Sequence, residues 1–266
     1  MSEELPTLNS WKNETNNRLE SAIMECFQKS DIGGWQENHI TTMVIDAISK
    51  GGTYLEWADC PQRAQWKAYK LNGKHEYNYG DIAVIVKIWL TSASFVEGIA
   101  FYEAKKQYFK DQNPTGFRAL KTDQLLRISR TTSSSQVLLY DADENQGARA
   151  TALPTSFAHS LADSGFEESN GRVLHHFGRN WILVLANNFR GFELDFSFDA
   201  VTTIKNLATE NRLPFVLNTQ IAALPGIDLE LDEAPSYLSG YSQIAGTKSP
   251  PDLGAPLPTQ SPGPRY

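Results

Sequence analysis

The chain predicts an α/β fold in which a mixed β-sheet is flanked by helices, and three stretches carry that prediction. Residues 8–29 have helical periodicity, with Trp11, Leu19, Ile23 and Phe27 on one face. Two runs rich in β-branched and aromatic residues, 81–90 and 98–106, are joined by a short Thr/Ser/Ala connection, the pattern of an antiparallel hairpin. A helical pattern near 117–131 then leads into a short apolar run at 135–140. Helix, hairpin, helix and strand in that succession give a sheet with helices packed on it.

The remaining elements fall between these. Gly33-Gly34 breaks the first helix, and a second at 35–49 ends at Gly51-Gly52. Short strands are expected at 54–57 and 66–71, separated by Asp59-Cys60-Pro61, and a loop at 111–116. Beyond residue 145, the sequence predicts a helix at 156–163, a strand or helix at 181–186, a helix at 198–211 and a closing strand at 214–218. From about residue 242 the composition turns to Pro, Gly, Ser and Thr, with little to bury. The expected organisation is one domain over 1–230, with a core at 30–145 and an α/β extension at 146–230, followed by a Pro/Gly/Ser-rich tail at 231–266 that is disordered or a partner-binding peptide.

Composition narrows the class. Hydrophobic content of 41% and charged content of 21% are those of an ordinary soluble globular protein. No apolar stretch approaches the roughly 20 residues that span a bilayer, and the acidic start Met1-Ser-Glu-Glu lacks the pattern of an export signal. The expectation is a cytoplasmic protein without a membrane partner. Cys26 and Cys60 are the only cysteines, which argues against a disulfide framework or a thiolate zinc site. A net charge of −7 excludes a uniformly basic surface but leaves room for a local basic patch.

The hairpin carries the chemistry. With its turn near residues 92–93, the start of the first strand lies opposite the end of the second, so Asp81 is expected beside Glu103 and Lys105. Side chains alternate faces, so Glu103 and Lys105 share one while Ala104 points away. Two carboxylates and a lysine at one end of an apolar hairpin suit Mg²⁺, which prefers hard oxygen ligands and uses one or two carboxylates with several waters. Such an ion polarises a phosphoryl oxygen and acidifies bound water. A lysine on the same face orients the attacking water or stabilises charge growing on phosphate. The competing reading is an exposed ion pair between Glu103 and Lys105 at a strand end.

Asp81…Glu103-Ala104-Lys105 resembles the PD-(D/E)xK signature of the restriction-endonuclease-like superfamily, with Gly80-Asp81 where the nominal form has Pro-Asp. Residues 79–140 resemble nuclease modules of bacterial anti-phage systems in their order: Gly-Asp, apolar strand, triplet ending in Lys, helix bearing Gln124, apolar strand. The string Asp/Glu-x-Lys recurs by chance; its specificity comes from this placement. The resemblance implies a restriction-endonuclease-like mixed-sheet core and metal ligation by Asp81 and Glu103. It further implies help from the Ala104 carbonyl, a lysine role for Lys105, and Mg²⁺ as cofactor with Mn²⁺ as a substitute. An early helix in that superfamily often adds a glutamate, a place that Glu37 matches.

Glu37 shares a helical stripe with Ile40, Val44 and Ile48, where a carboxylate needs a partner, although a first-turn acid is also favoured by the helix dipole. Gln124 is polar on the stripe of Phe117, Leu120 and Ile128; it suits a bond to the lysine or to a phosphate, and equally a bond to a buried backbone group. Lys106, Lys110, Arg118, Lys121, Arg127 and Arg130 gather near the same end, where they would hold a phosphate backbone; singly, each is ordinary surface charge. The expected function is a metal-dependent DNA endonuclease, an anti-phage effector by resemblance, restrained by a regulatory protein partner, homo-oligomerisation or the tail. The alternative is a non-catalytic subunit that binds nucleic acid or a partner and keeps the nuclease fold.

Overall fold

In the N-terminal third, helix α1 (Leu8–Gln28) starts where the Thr7 hydroxyl accepts from the Ser10 amide, and it buries Trp11, Thr15, Leu19, Ile23 and Cys26 along one stripe. Helix α2 (Glu37–Ser49) buries Ile40, Val44, Ile45 and Ile48 in the same way. This computed structural model describes residues 4–73, 80–110, 113–117, 120–164, 172–224, 226–229, 231 and 233–244. After β1 (Tyr54–Glu56) and β2 (Arg63–Leu71) come the paired strands β3 (Ile82–Trp89) and β4 (Phe95–Lys106). A small separate hairpin, β5 (Tyr108–Lys110) with β6 (Asn113–Gly116), follows where the sequence predicts a loop. Helix α3 (Thr122–Thr131) then leads to β7 (Ser135–Asp143) and β8 (Gly147–Pro154).

The C-terminal half supplies α4 (Thr155–Asp163), β9 (Arg179–Asn180), α5 (Trp181–Asn188), α6 (Phe198–Thr209), β10 (Phe215–Ala222) and β11 (Tyr241–Gln243). The main sheet is mixed, with nine strands among the described residues in the order β1-β2-β10-β3-β4-β7-β8-β9 and β11 also on β2. β10 lies inside this sheet, antiparallel to β2 and parallel to β3. It is therefore an interior strand rather than a closing one. The 146–230 extension adds strands to the same sheet, since β8, β9 and β10 all hydrogen-bond within it. Order also runs past residue 230, to β11 and Ile244, because Tyr241–Gln243 pairs with Leu71–Tyr69; residues 245–266 lie outside the described residues.

Alternation sorts the strands' side chains onto two faces. Ile82, Val84, Val86, Ala100, Tyr102, Ala104, Leu138 and Tyr140 pack with α1, α2 and α5. Ala83, Ile85, Ile99 and Phe101 pack with α6, while Val137 and Leu139 pack with α3 and α4. A loop over residues 192–197 is fastened to the hairpin through Asp195, whose backbone pairs with Ile99. Its carboxylate accepts from the amides of Ser133 (2.8 Å) and Ser197 (2.9 Å) and from the Thr132 hydroxyl (3.0 Å). Burial resists ionisation there, but these donors outweigh it and hold the carboxyl far below the usual carboxylate range. Asp195→Ala is expected to cost about 1–2 kcal/mol, allowing for solvent at its rim. Because the folded-state pKa is depressed, that contribution is full at neutral pH, begins to fall below about pH 4 and is lost only as pH drops through the lowered folded-state value. Urea titrations at pH 7 and pH 3 check both halves: the deficit seen at pH 7 should shrink at pH 3.

Candidate metal centre

The register of the β3–β4 hairpin fixes the geometry. Ile82 pairs with Tyr102, so Asp81, the residue before β3, stands across from Glu103. Its amide donates to the Tyr102 carbonyl (3.0 Å), and its own carbonyl accepts from Phe215 of β10 (3.0 Å). Both neighbouring strands thus pin its backbone. The Asp81 carboxylate turns to β4 and accepts from the Ala104 amide (2.7 Å). Asp81, Glu103 and Lys105 all have the parity of Ala83, Ile85 and Phe101, so they share a face, while Ala104 belongs to the core of the other face.

Gly80 makes room for this pairing. Its φ is +134°, and a Cβ there would lie 2.3 Å from a Phe101 ring carbon. Proline, held near φ −65°, fits neither the dihedral nor the space, which gives Gly-Asp in place of Pro-Asp a steric reason. Gly80→Ala is expected to destabilise the fold by about 2–4 kcal/mol and to displace Asp81, read as a lowered thermal midpoint.

A cavity of about 340 Å³ opens on the three residues, lined also by Glu37, Asn38, Gly80, Lys121 and Gln124. Glu37 reaches it from the first turn of α2, and its Oε1 lies 3.4 Å from the Lys106 amide. Lys105 and Glu103 form an ion pair, but not the exposed one of the competing reading: they are 6% and 1% exposed. Glu103 Oε2 is buried with no hydrogen-bond partner. Three carboxylates therefore face the Lys105 ammonium, which is paired with Glu103, and the rim cation Lys121.

The titration behaviour follows from this imbalance. Burial raises the pKa of Asp81 well above the usual carboxylate value, and the nearby charges of Glu103 and Glu37 add to the rise against Lys105 and the Ala104 amide. Glu103 is raised too, chiefly by burial, with Lys105 and more weakly Gln124 opposing. Burial alone would lower Lys105, but the charges of Glu103, Asp81 and Glu37 reverse it, so the amine stays protonated. Excess negative charge among buried carboxylates is what a bound cation relieves.

Among the described residues, no three His, Cys, Asp or Glu side chains are drawn close enough to enclose an ion. The donor chemistry nevertheless suits a hard divalent cation: the Glu103 oxygen lacks a partner, Asp81 has an oxygen beyond its amide bond, and Glu37 stands at the mouth. Ala104 turns its backbone to the β3 side, where its N–H already meets Asp81.

The basic residues divide. Lys121 lines the cavity, exposed, just before α3, and the half-buried Gln124 lines it one turn further on. Lys106 does not: its ammonium donates to the Trp35 carbonyl (2.6 Å) and sits over the Tyr108 ring. Lys110 is exposed at the end of β5, Arg127 and Arg130 are exposed on α3, and Arg118 lies outside the described residues. Asn38, beside Glu37 at the cavity wall, was not legible from spacing; only its place in the first turn of α2 signals it. No protein-family model matches this chain, and no curated protein or solved structure is similar to it.

Proposed function

We propose that this chain is a divalent-metal-dependent DNA endonuclease with a restriction-endonuclease-like core. The observation that carries the reading is the pairing of Asp81 with Glu103 across the hairpin, with Lys105 on the same face and all three lining one cavity. The mixed sheet, with β4 parallel to β7 beside an antiparallel β3–β4 hairpin, supports the core assignment.

Asp81 and Glu103 would hold Mg²⁺ or Mn²⁺, with the Ala104 carbonyl and Glu37 as further oxygens. When bound, the ion supplies Lewis-acid polarisation of the phosphodiester and a more acidic water. The chain's own part is electrostatic. Glu103 holds the Lys105 ammonium in one orientation, and the three carboxylates keep it charged, so it meets negative charge growing on the phosphate without reorganising. Lys121 at the rim neutralises a backbone phosphate, and the Gln124 amide offers donors beside Glu103. Aligned this way, a water would attack phosphorus opposite the leaving oxygen, giving up its proton to solvent as the P–O bond breaks and the departing oxygen takes a proton from solvent. Service as an anti-phage effector, gated by a partner or by self-association, belongs to the proposal on resemblance alone.

The test is cleavage of plasmid by the purified chain with Mg²⁺ or Mn²⁺, beside Lys105→Ala and Asp81→Ala. Metal-dependent nicking that both variants lose supports the enzyme. Binding without cleavage under every activating condition favours the non-catalytic subunit.

A further inference from the structure

On the other side of the same sheet end lies a larger cavity, about 520 Å³, well within the range of small-ligand sites. It opens beyond the carboxyl ends of β4 and β7, which run parallel there, the usual place for a ligand in an α/β sheet. Its floor is aromatic. Trp35, Phe27 and Phe109 pack with ring centroids 5.1–5.9 Å apart, and Tyr108 adds a partly exposed ring. Lys106 stiffens this wall, with its ammonium 4.9 Å from the Tyr108 centroid and hydrogen-bonded to the Trp35 carbonyl. The rim bears Gln28, Asp143, Glu144 and Asn145. Asp143 is already taken by Arg172 (2.8 Å) and by the Asn145 and Gln146 amides, which leaves Glu144 as the exposed carboxylate beside the amides of Gln28 and Asn145.

The two cavities are joined through consecutive residues. Lys105 enters the candidate metal centre and Lys106 borders the aromatic cavity; likewise Glu37 lines the first and Trp35, two residues earlier, lines the second. A nucleic-acid strand laid across the tip of β4 would have its phosphates on one side and its flat heterocycles on the other. We infer that the Trp35/Tyr108/Phe109 cavity is a nucleobase pocket that takes an unpaired base of the strand held at the candidate metal centre. This rests on the nuclease reading and sharpens it: the substrate is single-stranded or locally opened, because a base in a duplex stack has no free face to offer. The Glu144 carboxylate favours bases with an exocyclic amine, since the N3–H of an unpaired thymine, its one donor, is flanked by two carbonyl oxygens that repel a carboxylate.

The test uses the full chain in EDTA, so that no cleavage is needed. The probe is a 12-nucleotide single strand carrying 2-aminopurine, beside its duplex, its all-abasic analogue and an all-thymine strand. Quenching of 2-aminopurine and tighter binding of the single strand than of the other three are expected. Tyr108→Ala should weaken it roughly tenfold, with Tyr108→Phe restoring it and Glu144→Ala erasing the disadvantage of thymine. Equal binding of the abasic strand, or no effect of Tyr108→Ala in a protein with an unchanged circular dichroism spectrum, overturns the pocket. Those outcomes leave metal-dependent nicking untouched. Loss of nicking by every preparation would instead sink the nuclease while the quenching stood.

Discussion

Lys105→Ala is expected to lower metal-dependent nicking by about a hundred- to a thousandfold, the usual effect of removing one preorganised positive group from the charge that develops in a transition state. The same change leaves Glu103 buried beside Asp81 with no compensating cation, so about 3–5 kcal/mol of stability should go with it in the absence of metal. The two losses are separable. Saturating Mg²⁺ should restore much of the stability by binding only the folded form, while the rate stays low. A variant that regains both stability and rate in Mg²⁺ would show that Lys105 is a structural counter-ion and nothing more. Single-turnover rates at a temperature where circular dichroism reports a folded protein make the measurement.

Asp81→Asn is expected to do the opposite to stability and the same to activity. Asparagine keeps an oxygen to accept from the Ala104 amide but carries no charge, which removes the repulsion from Glu103 and Glu37. The metal-free protein should gain at least about 1 kcal/mol, or roughly 2–4 °C in thermal midpoint, while nicking disappears. The sign with pH follows from the raised folded-state pKa. Between the ordinary aspartate value and the elevated one, the folded protein holds a proton that the unfolded chain releases, so wild-type stability falls as pH rises through that window. The variant should lose that slope. Divalent metal should flatten it in the wild type, with affinity growing as pH rises, because the ion and the proton compete for the same oxygens. Differential scanning calorimetry from pH 4 to 9, with and without Mg²⁺, reads all of this. A midpoint for Asp81→Asn below the wild type throughout would refute the account.

How far the sequence foretold these features depended on the range of the interaction. The hairpin register was legible because a short connection between two apolar runs leaves one symmetric pairing, and that alone sets Asp81 opposite Glu103. Residues 181–186 were ambiguous because Trp-Ile-Leu-Val-Leu-Ala is apolar at every position, and periodicity has nothing to act on; burial on nearly all sides makes it the helix α5. Phe117 and Leu120 suggested a helix from 117, yet Phe117 is buried on the approach to α3, which begins at Thr122. Residues 113–116 looked like a loop because Asn-Pro-Thr-Gly is turn chemistry, and only pairing with Tyr108–Lys110 makes them a strand. The aromatic cavity was invisible for a longer-range reason: its walls come from α1, the approach to α2, and the ends of β4 and β7.

The interior place of β10 has a consequence for biosynthesis. Phe215–Ala222 separates β2 from β3 and ties down the carbonyl of Asp81, so each of those strands, though β1 and β4 are available to it, lacks one native neighbour until residues 215–222 have been synthesised. A nascent chain that has emerged only as far as Asn211 carries two unmet strand edges and an unsupported aspartate, which makes it a client for chaperones. The candidate metal centre is therefore completed later in synthesis than the β3–β4 hairpin that carries its residues.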